Sequence, residues 1–118
     1  MARKPAPKTP PSLLAAIPVQ NPLARSSPVP GGLRLTAPLQ PSRLSRLLRA
    51  PAREKTFELD ALGTEIWRAC DGRTSVEQII TAFARTHRVN LRQSQISVTT
   101  YLNTLLARNL IALVRPAN

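Results

Sequence analysis

The residue types that perform most enzyme chemistry are scarce in this sequence. His87 is the only histidine and Cys70 the only cysteine, so no cluster of imidazole and thiolate ligands can form a transition-metal site. There is no glycine-rich phosphate loop and no nucleophile elbow. Four carboxylates fall at helix-capping or exposed helical positions, and none is paired as general acid with general base: Asp60, Glu65, Asp71 and Glu77. We therefore predict no catalytic residue, no metal and no cofactor, and we expect that the protein is not an enzyme.

The remaining reactive or aromatic side chains have structural interpretations. Cys70 and Trp67 fall on the apolar face of a predicted helix, which favours packing over chemistry for both. His87 ends a predicted helix, where a cation suits the helix dipole. We predict a surface or capping role for this histidine.

Charge and proline are concentrated in the N-terminal half of the 118 residues. The formal net charge is +11, and residues 1–53 contain nine basic and no acidic residues, whereas residues 54–118 contain eight basic and six acidic ones. Eleven of the twelve prolines lie in residues 1–51, which excludes long helices and central strands there. We predict a disordered basic arm over residues 1–16 and a single domain over residues 17–118. No apolar run approaches the roughly 20 residues of a membrane-spanning helix, and no secretion signal is evident, so we expect a cytoplasmic protein without a membrane partner.

Three helices are predicted in succession within residues 57–114, the helical core of the domain. Each is preceded by a residue suited to capping its first turn, namely Asp60, Ser75 and Asn90. Residues with left-handed preferences, Gly72 and Asn109, follow the first and third helices. Apolar residues recur at helical spacing on each, among them Leu62, Ile66, Trp67, Ile79, Ile80, Phe83, Leu91, Val98, Leu102 and Leu105.

Short strands are predicted before and after these helices. A small hairpin is expected within residues 17–37, with strands at 23–25 and 33–36 around the turn-rich sequence SSPVPGG. Residues 53–59 alternate and predict a third strand, with Phe57 and Leu59 facing inward, and residues 110–114 predict a short C-terminal strand. The predicted fold is α+β, a small winged-helix-like domain with a short antiparallel sheet of about three strands, three helices and a C-terminal strand.

An additional amphipathic helix is predicted over residues 41–50. Its leucines and its arginines occupy different faces. The pattern is compatible with a connecting helix docked on the core, with contact to nucleic-acid phosphates or with a membrane-surface helix.

The sequence motifs within these predicted elements, in their order and spacing, resemble those of the PqqD family. The resemblance covers residues 57–114 well and 20–56 loosely. It rests on Leu59-Asp60 with Gly63, Ile66-Trp67, Cys70-Asp71-Gly72, the run Thr74 to Ile79, Val89, and Leu102, Leu105 and Leu110. This chain departs from the family in its longer, basic, proline-rich N-terminal half and in the 41–50 helix, which indicates a divergent member.

The resemblance implies a peptide chaperone, or recognition element, in the biosynthesis of modified peptides. Family members present a precursor peptide to a radical S-adenosylmethionine or other peptide-modifying enzyme. In that mode the leader peptide joins the sheet edge beside the third strand and packs on the third helix. Carried onto this chain, the implied peptide-binding residues are Lys55, Thr56, Phe57, Glu58, Val98, Tyr101, Leu102 and Leu105.

Two other functions stay open at this point. A winged-helix nucleic-acid binder would use the basic N-terminal half, because phosphate contacts dominate non-specific affinity. The third helix, however, has basic residues only near its ends, Arg92 and Arg108, and offers no basic stripe for a groove. An interaction subunit without a peptide client is the remaining alternative.

Overall fold

The computed structural model describes residues 11–38 and 54–116. Four helices and five strands lie in these two ranges. Their order along the chain is α1 (Pro11–Ala15), β1 (Ile17–Gln20), β2 (Arg25–Val29), β3 (Gly32–Pro38), β4 (Glu54–Leu59), α2 (Ala61–Ala69), α3 (Val76–His87), α4 (Leu91–Ala107) and β5 (Ile111–Val114).

The strands form two antiparallel sheets. Strands β2, β3 and β4 lie side by side in that order, while β1 and β5 pair with each other. The predicted α+β class, the three-stranded sheet, the three long helices and the C-terminal strand are therefore confirmed. Strand β1 was not predicted. Its register pairs Ile17 with Val114 and Gln20 with Ile111, so it brings residues 17–20 against residues 111–114.

The β2–β3 hairpin differs from the prediction in its boundaries. The predicted strand at 23–25 is wrong except for Arg25, and much of the predicted loop SSPVPGG is itself strand β2. Val29 pairs with Gly32, so the turn is only Pro30-Gly31. Gly31 has φ 81°, as the third residue of a type II turn requires. Pro28 is tolerated because β2 is an edge strand, where a missing N–H can face away from the ladder.

The helix starts follow the capping prediction. The side chains of Asp60 and Asn90 accept from the third backbone N–H of α2 and α4 respectively. Ser75 and Gln78 form a reciprocal capping box at the start of α3. Asn109, with φ 60°, has the left-handed conformation predicted for it, directly before the chain turns into β5.

The core lies between the helices and the inner face of the larger sheet. Trp67 and Cys70 are buried, as predicted, together with Leu33, Leu35, Leu59, Ile66, Ile79, Phe83, Val98, Leu102, Leu105 and Leu110. Two residues assigned to apolar helix faces are instead exposed, Leu62 at 39% and Leu91 at 60%. Both lie in the first turn of their helix, at the end of the apolar stripe, where the neighbouring elements no longer cover it.

Part of the N-terminal half lies outside the described residues. The predicted helix at 41–50 and residues 1–10 of the predicted arm fall there. Residues 11–15, which also belong to the predicted arm, form helix α1. Among the helices of residues 11–38 and 54–116, none is both long enough and apolar enough to cross a bilayer.

Candidate functional site

A groove runs between strand β4 and the C-terminal half of helix α4. Its volume is about 270 Å³. The strand side and the start of α2 contribute Phe57, Glu58, Leu59 and Asp60, and the helix contributes Thr100, Tyr101, Thr104 and Leu105. We call this the β4–α4 groove.

Strand β4 forms one border of the three-stranded sheet. It pairs with β3 on one side, and within the described part of the chain no strand pairs with its other side. No residue in the ranges 11–38 and 54–116 therefore pairs with the outer edge of β4, the edge next to the groove. Unpaired N–H and C=O groups on such an edge are the template for adding another strand.

The register indicates which backbone groups of β4 face outward. The two-residue turn makes Val29 and Gly32 a hydrogen-bonded pair, and bonded pairs alternate along an antiparallel ladder. Even-numbered residues of β3 thus bond to β2, and odd-numbered ones bond to β4. Since Leu35 pairs with Phe57 and Ala37 with Lys55, the N–H and C=O groups of Thr56 and Glu58 point away from β3. No backbone hydrogen bond to either residue from elsewhere in the described ranges occupies them.

The floor of the groove is apolar. Leu59 and Leu105 are buried, and Phe57 is half-buried. Side chains alternate between the two faces of a strand, so Phe57 and Leu59 share the face of β4 that packs towards the helices. At one end the Arg108 guanidinium carbon lies 4.1 Å from the centroid of the Phe57 ring, within the range of a cation–π interaction.

The other end of the groove is closed by a hydrogen-bonded group around Asp60. The Tyr101 hydroxyl donates to both carboxylate oxygens of Asp60, at 2.9 Å each, and the Gly63 N–H donates to Oδ1 at 2.8 Å. A Cβ at Gly63 would lie 3.1 Å from the Tyr101 ring. The glycine therefore lets α4 approach α2 closely enough for Tyr101 to reach the cap of that helix.

These contacts shift the acid–base properties of both side chains. The Gly63 N–H, and next the Tyr101 hydroxyl, lower the pKa of Asp60 from its ordinary value, because both donate to the ionised carboxylate. Burial, and then the contact with Asp60, raise the pKa of Tyr101. Near neutral pH the pair therefore consists of a carboxylate and a neutral phenol, with the phenol as donor.

The residues predicted to bind a peptide fall into three groups. Phe57, Glu58, Tyr101 and Leu105 line the groove, and Lys55 and Thr56 continue the same strand as exposed residues. Val98 and Leu102 do not line it, since both are buried in the core. The prediction missed Leu59, Asp60, Thr100, Thr104 and Arg108. Helical spacing offered a signal for three of them, because positions 100, 101, 104 and 108 share one side of α4.

The other reactive side chains have structural roles. Cys70 is buried, its thiol donates to the Ile66 carbonyl oxygen at 3.2 Å, and burial raises its pKa to about 12, which agrees with the predicted packing role. His87 contacts the carboxylate of Glu65 at 2.9 Å and lies against the ring of Phe83, so it joins α3 to α2. Within residues 11–38 and 54–116 no three potential ligands are grouped to hold a metal ion.

The fold and the groove together define a class: a small α+β domain whose candidate site is an apolar groove beside a free strand edge. Residues 47–111 match the family model of coenzyme PQQ synthesis protein D, PqqD. The match spans more than half of the chain, and the protein belongs to the PqqD family. Members of this family are non-catalytic accessory proteins in biosynthesis. Neither the curated proteins nor the solved structures contain a match.

Proposed function

We propose that this protein is a non-catalytic, chaperone-like module that binds a precursor peptide by β-strand addition and presents it to a modifying enzyme. The observation that carries the proposal is the edge of β4 beside the β4–α4 groove, which is unpaired within residues 11–38 and 54–116. Family membership supports the peptide and the biosynthetic setting. The radical S-adenosylmethionine class of partner enzyme is an extension of that membership and belongs to the proposal.

Strand addition requires free backbone groups and room for side chains. Thr56 and Glu58 supply outward N–H and C=O groups at successive bonding positions of β4. A peptide strand paired there would place every second side chain on the groove side, over Phe57 and Leu105. Backbone bonds would then provide affinity and the groove would provide selectivity, as in other complexes formed by strand addition.

The predicted contact residues have different parts in this proposal. Thr56 and Glu58 bind through their backbones, while Phe57, Tyr101 and Leu105 contact the side chains of the peptide. Lys55 contributes charge near the end of the strand. Val98 and Leu102 act from below, by holding α4 in position, because neither reaches the groove.

The nucleic-acid alternative has no support in the described residues. None of the eight residues that line the groove is basic, and the basic residues beside it, Lys55 and Arg108, are confined to one end. Arg92 lies in the first turn of α4, at the opposite end from Arg108, so no continuous basic stripe follows this helix. A phosphate backbone would need such a stripe.

The test is a selection followed by mapping. Random peptides of about ten residues, the upper length of ordinary strands, are displayed on phage and selected against the full chain. The most enriched peptide is then titrated into isotope-labelled protein. Amide shifts should cluster at residues 54–60 and along residues 100–108, the C-terminal half of α4 with its C-cap. Failure to enrich any peptide, or shifts confined to α3 and the β1–β5 sheet, would refute strand addition at β4.

A further inference from the structure

The two ends of the β4–α4 groove differ in charge. Lys55 and Arg108 are exposed residues at one end, and Asp60 with the Tyr101 hydroxyl closes the other. Lys55 shares with Phe57 the face of β4 that looks towards the helices, and the Arg108 guanidinium lies over the Phe57 ring. An occupant of the groove therefore meets two cations at one end and a carboxylate at the other.

Neither cation is neutralised by a carboxylate in the described part of the chain. The two glutamates of β4 form ion pairs with other arginines. Glu54 pairs with Arg25 at 2.8 Å, and Glu58 lies 3.8 Å from Arg34. Both glutamates have the parity of the opposite face of β4. The cations at the groove are therefore free to pair with a bound molecule.

The cations and the apolar floor are spaced along the strand. Lys55, Phe57 and Leu59 follow one another at intervals of two residues on one face. In a strand added to the edge, side chains facing the groove also recur every second residue, about 7 Å apart. This spacing holds for either direction of the added strand.

We propose that the client segment carries an apolar side chain and, two residues away on its Lys55 side, an aspartate or glutamate. This inference rests on the proposed function and specifies its substrate class. The apolar side chain packs on Phe57, Leu59 and Leu105, and the carboxylate lies beside Lys55 and Arg108. Arg108 is then a specificity-determining residue whose guanidinium is held in place by the Phe57 ring.

The experiment compares peptide selections with Arg108 reversed and with a matched control. The displayed library of random peptides is selected in parallel against the wild-type chain, Arg108→Glu and Arg92→Glu. Both variants change the net charge equally and on the same helix, but Arg92 lies at the far end of α4. Circular dichroism and thermal melting establish that each variant is folded before selection.

The wild type should enrich peptides with an acidic residue two positions from an apolar one. With Arg108→Glu this acidic preference should fall by roughly tenfold, since an attractive charge pair becomes a repulsive one, and basic residues should replace it. Arg92→Glu should retain the wild-type preference. Enrichment of apolar peptides with no acidic preference, or an equal loss in both variants, would overturn the inference.

A fourth selection separates this inference from the proposed function. Thr56→Pro removes an outward N–H of β4 and should abolish enrichment of all strand-forming peptides. If Thr56→Pro abolishes enrichment while Arg108→Glu leaves the motif unchanged, strand addition stands and the charge assignment is wrong. If peptides are enriched equally with Thr56→Pro, they do not bind at the β4 edge, and both the proposed function and this inference are refuted.

Discussion

The two edges of the three-stranded sheet are built differently. Strand β2 has the sequence RSSPV, with Pro28 near its end and four of five residues exposed. Strand β4 has the sequence EKTFEL, contains no proline and borders the groove beside α4. Proline and short polar strands are common means of protecting a sheet edge from unwanted pairing. One edge is therefore protected, whereas the other, within the described ranges, retains unpaired backbone groups beside an apolar surface, which are the features that strand addition needs.

The largest effect is expected where the hairpin turn meets β4. A Cβ at Gly32 would lie 1.7 Å from the Leu59 carbonyl oxygen, whereas one at Gly31 would meet nothing within 4 Å. Gly32→Ala should therefore lower the free energy of unfolding by about 3 kcal/mol, the upper end for steric overpacking. Gly31→Ala should cost only about 1 kcal/mol, for its left-handed φ.

Chemical denaturation of both variants measures this difference. The two glycines are neighbours in one turn, so they form a matched pair. Gly31→Ala measures the cost of the left-handed backbone, and Gly32→Ala measures the cost of the close contact with Leu59. Equal destabilisation would show that the close approach of Gly32 to the Leu59 carbonyl adds nothing to the stability of the pairing between β3 and β4.

The next effect separates the inward from the outward backbone groups of β4. Thr56→Pro should weaken binding of the selected peptide by roughly 5- to 160-fold, since one lost hydrogen bond with its partner unsatisfied costs roughly 1–3 kcal/mol. Lys55→Pro should instead lower the melting temperature, because the Lys55 N–H faces Ala37 in β3. Fluorescence anisotropy and thermal melting distinguish the two losses. The reverse pattern would mean that the assignment of outward groups is shifted by one residue.

A smaller effect concerns the carboxylate at the closed end of the groove. The pKa of Asp60 is lowered by the Gly63 N–H and the Tyr101 hydroxyl, so its charge stabilises the fold above its ordinary value of 3.8 and ceases to do so as pH falls through the lowered pKa. Asp60→Asn keeps a capping side chain but has no charge. The melting temperature of the wild type should exceed that of Asp60→Asn at neutral pH.

The same two proteins are melted from neutral pH down to the acid range below the ordinary carboxyl value of 3.8. The difference between them should shrink only below the ordinary carboxyl value. Asp71, whose pKa is also lowered, by the Arg73 and Thr74 N–H groups, is present in both proteins and cancels. A difference independent of pH would assign the effect of Asp60 to its shape rather than its charge.

The smallest effect tests whether a free edge is sufficient without a groove. Pro28→Thr gives β2 an edge N–H and should change the free energy of unfolding by no more than about 0.5 kcal/mol, as is usual for surface substitutions. The selected peptide should still bind at β4 with unchanged affinity. New amide shifts at residues 25–29 on titration would show that free backbone groups are sufficient to bind the peptide. The groove would then not explain the difference between the two edges.

Local signals in the sequence were sufficient for much of this structure. Capping at Asp60, Ser75 and Asn90 depends on neighbours within one helical turn, and the alternation of residues 53–59 correctly predicts β4 with Leu59 inward. The family resemblance, carried by motifs inside residues 57–114, is confirmed by the family match. These features are decided by short stretches of chain.

Features decided by distant contacts were not predictable in this way. Strand β1 exists because Ile17 pairs with Val114, and neither segment signals the other. On α4, the apolar pattern indicated Val98 and Leu102, which are core, whereas polar residues on the adjacent side, Thr100 and Thr104, line the groove. Which side of an amphipathic helix borders a groove depends on the tilt of that helix against the sheet, and periodicity does not determine tilt.

The buried thiol has a practical consequence for every measurement of this protein. Cys70 is the sole native cysteine, is inaccessible, and has a pKa raised to about 12, so alkylating reagents react with it only when the domain opens. The rate at which Cys70 is alkylated therefore reports how often the core opens. A cysteine introduced on the surface can therefore be labelled selectively, because Cys70 remains unlabelled in the folded domain.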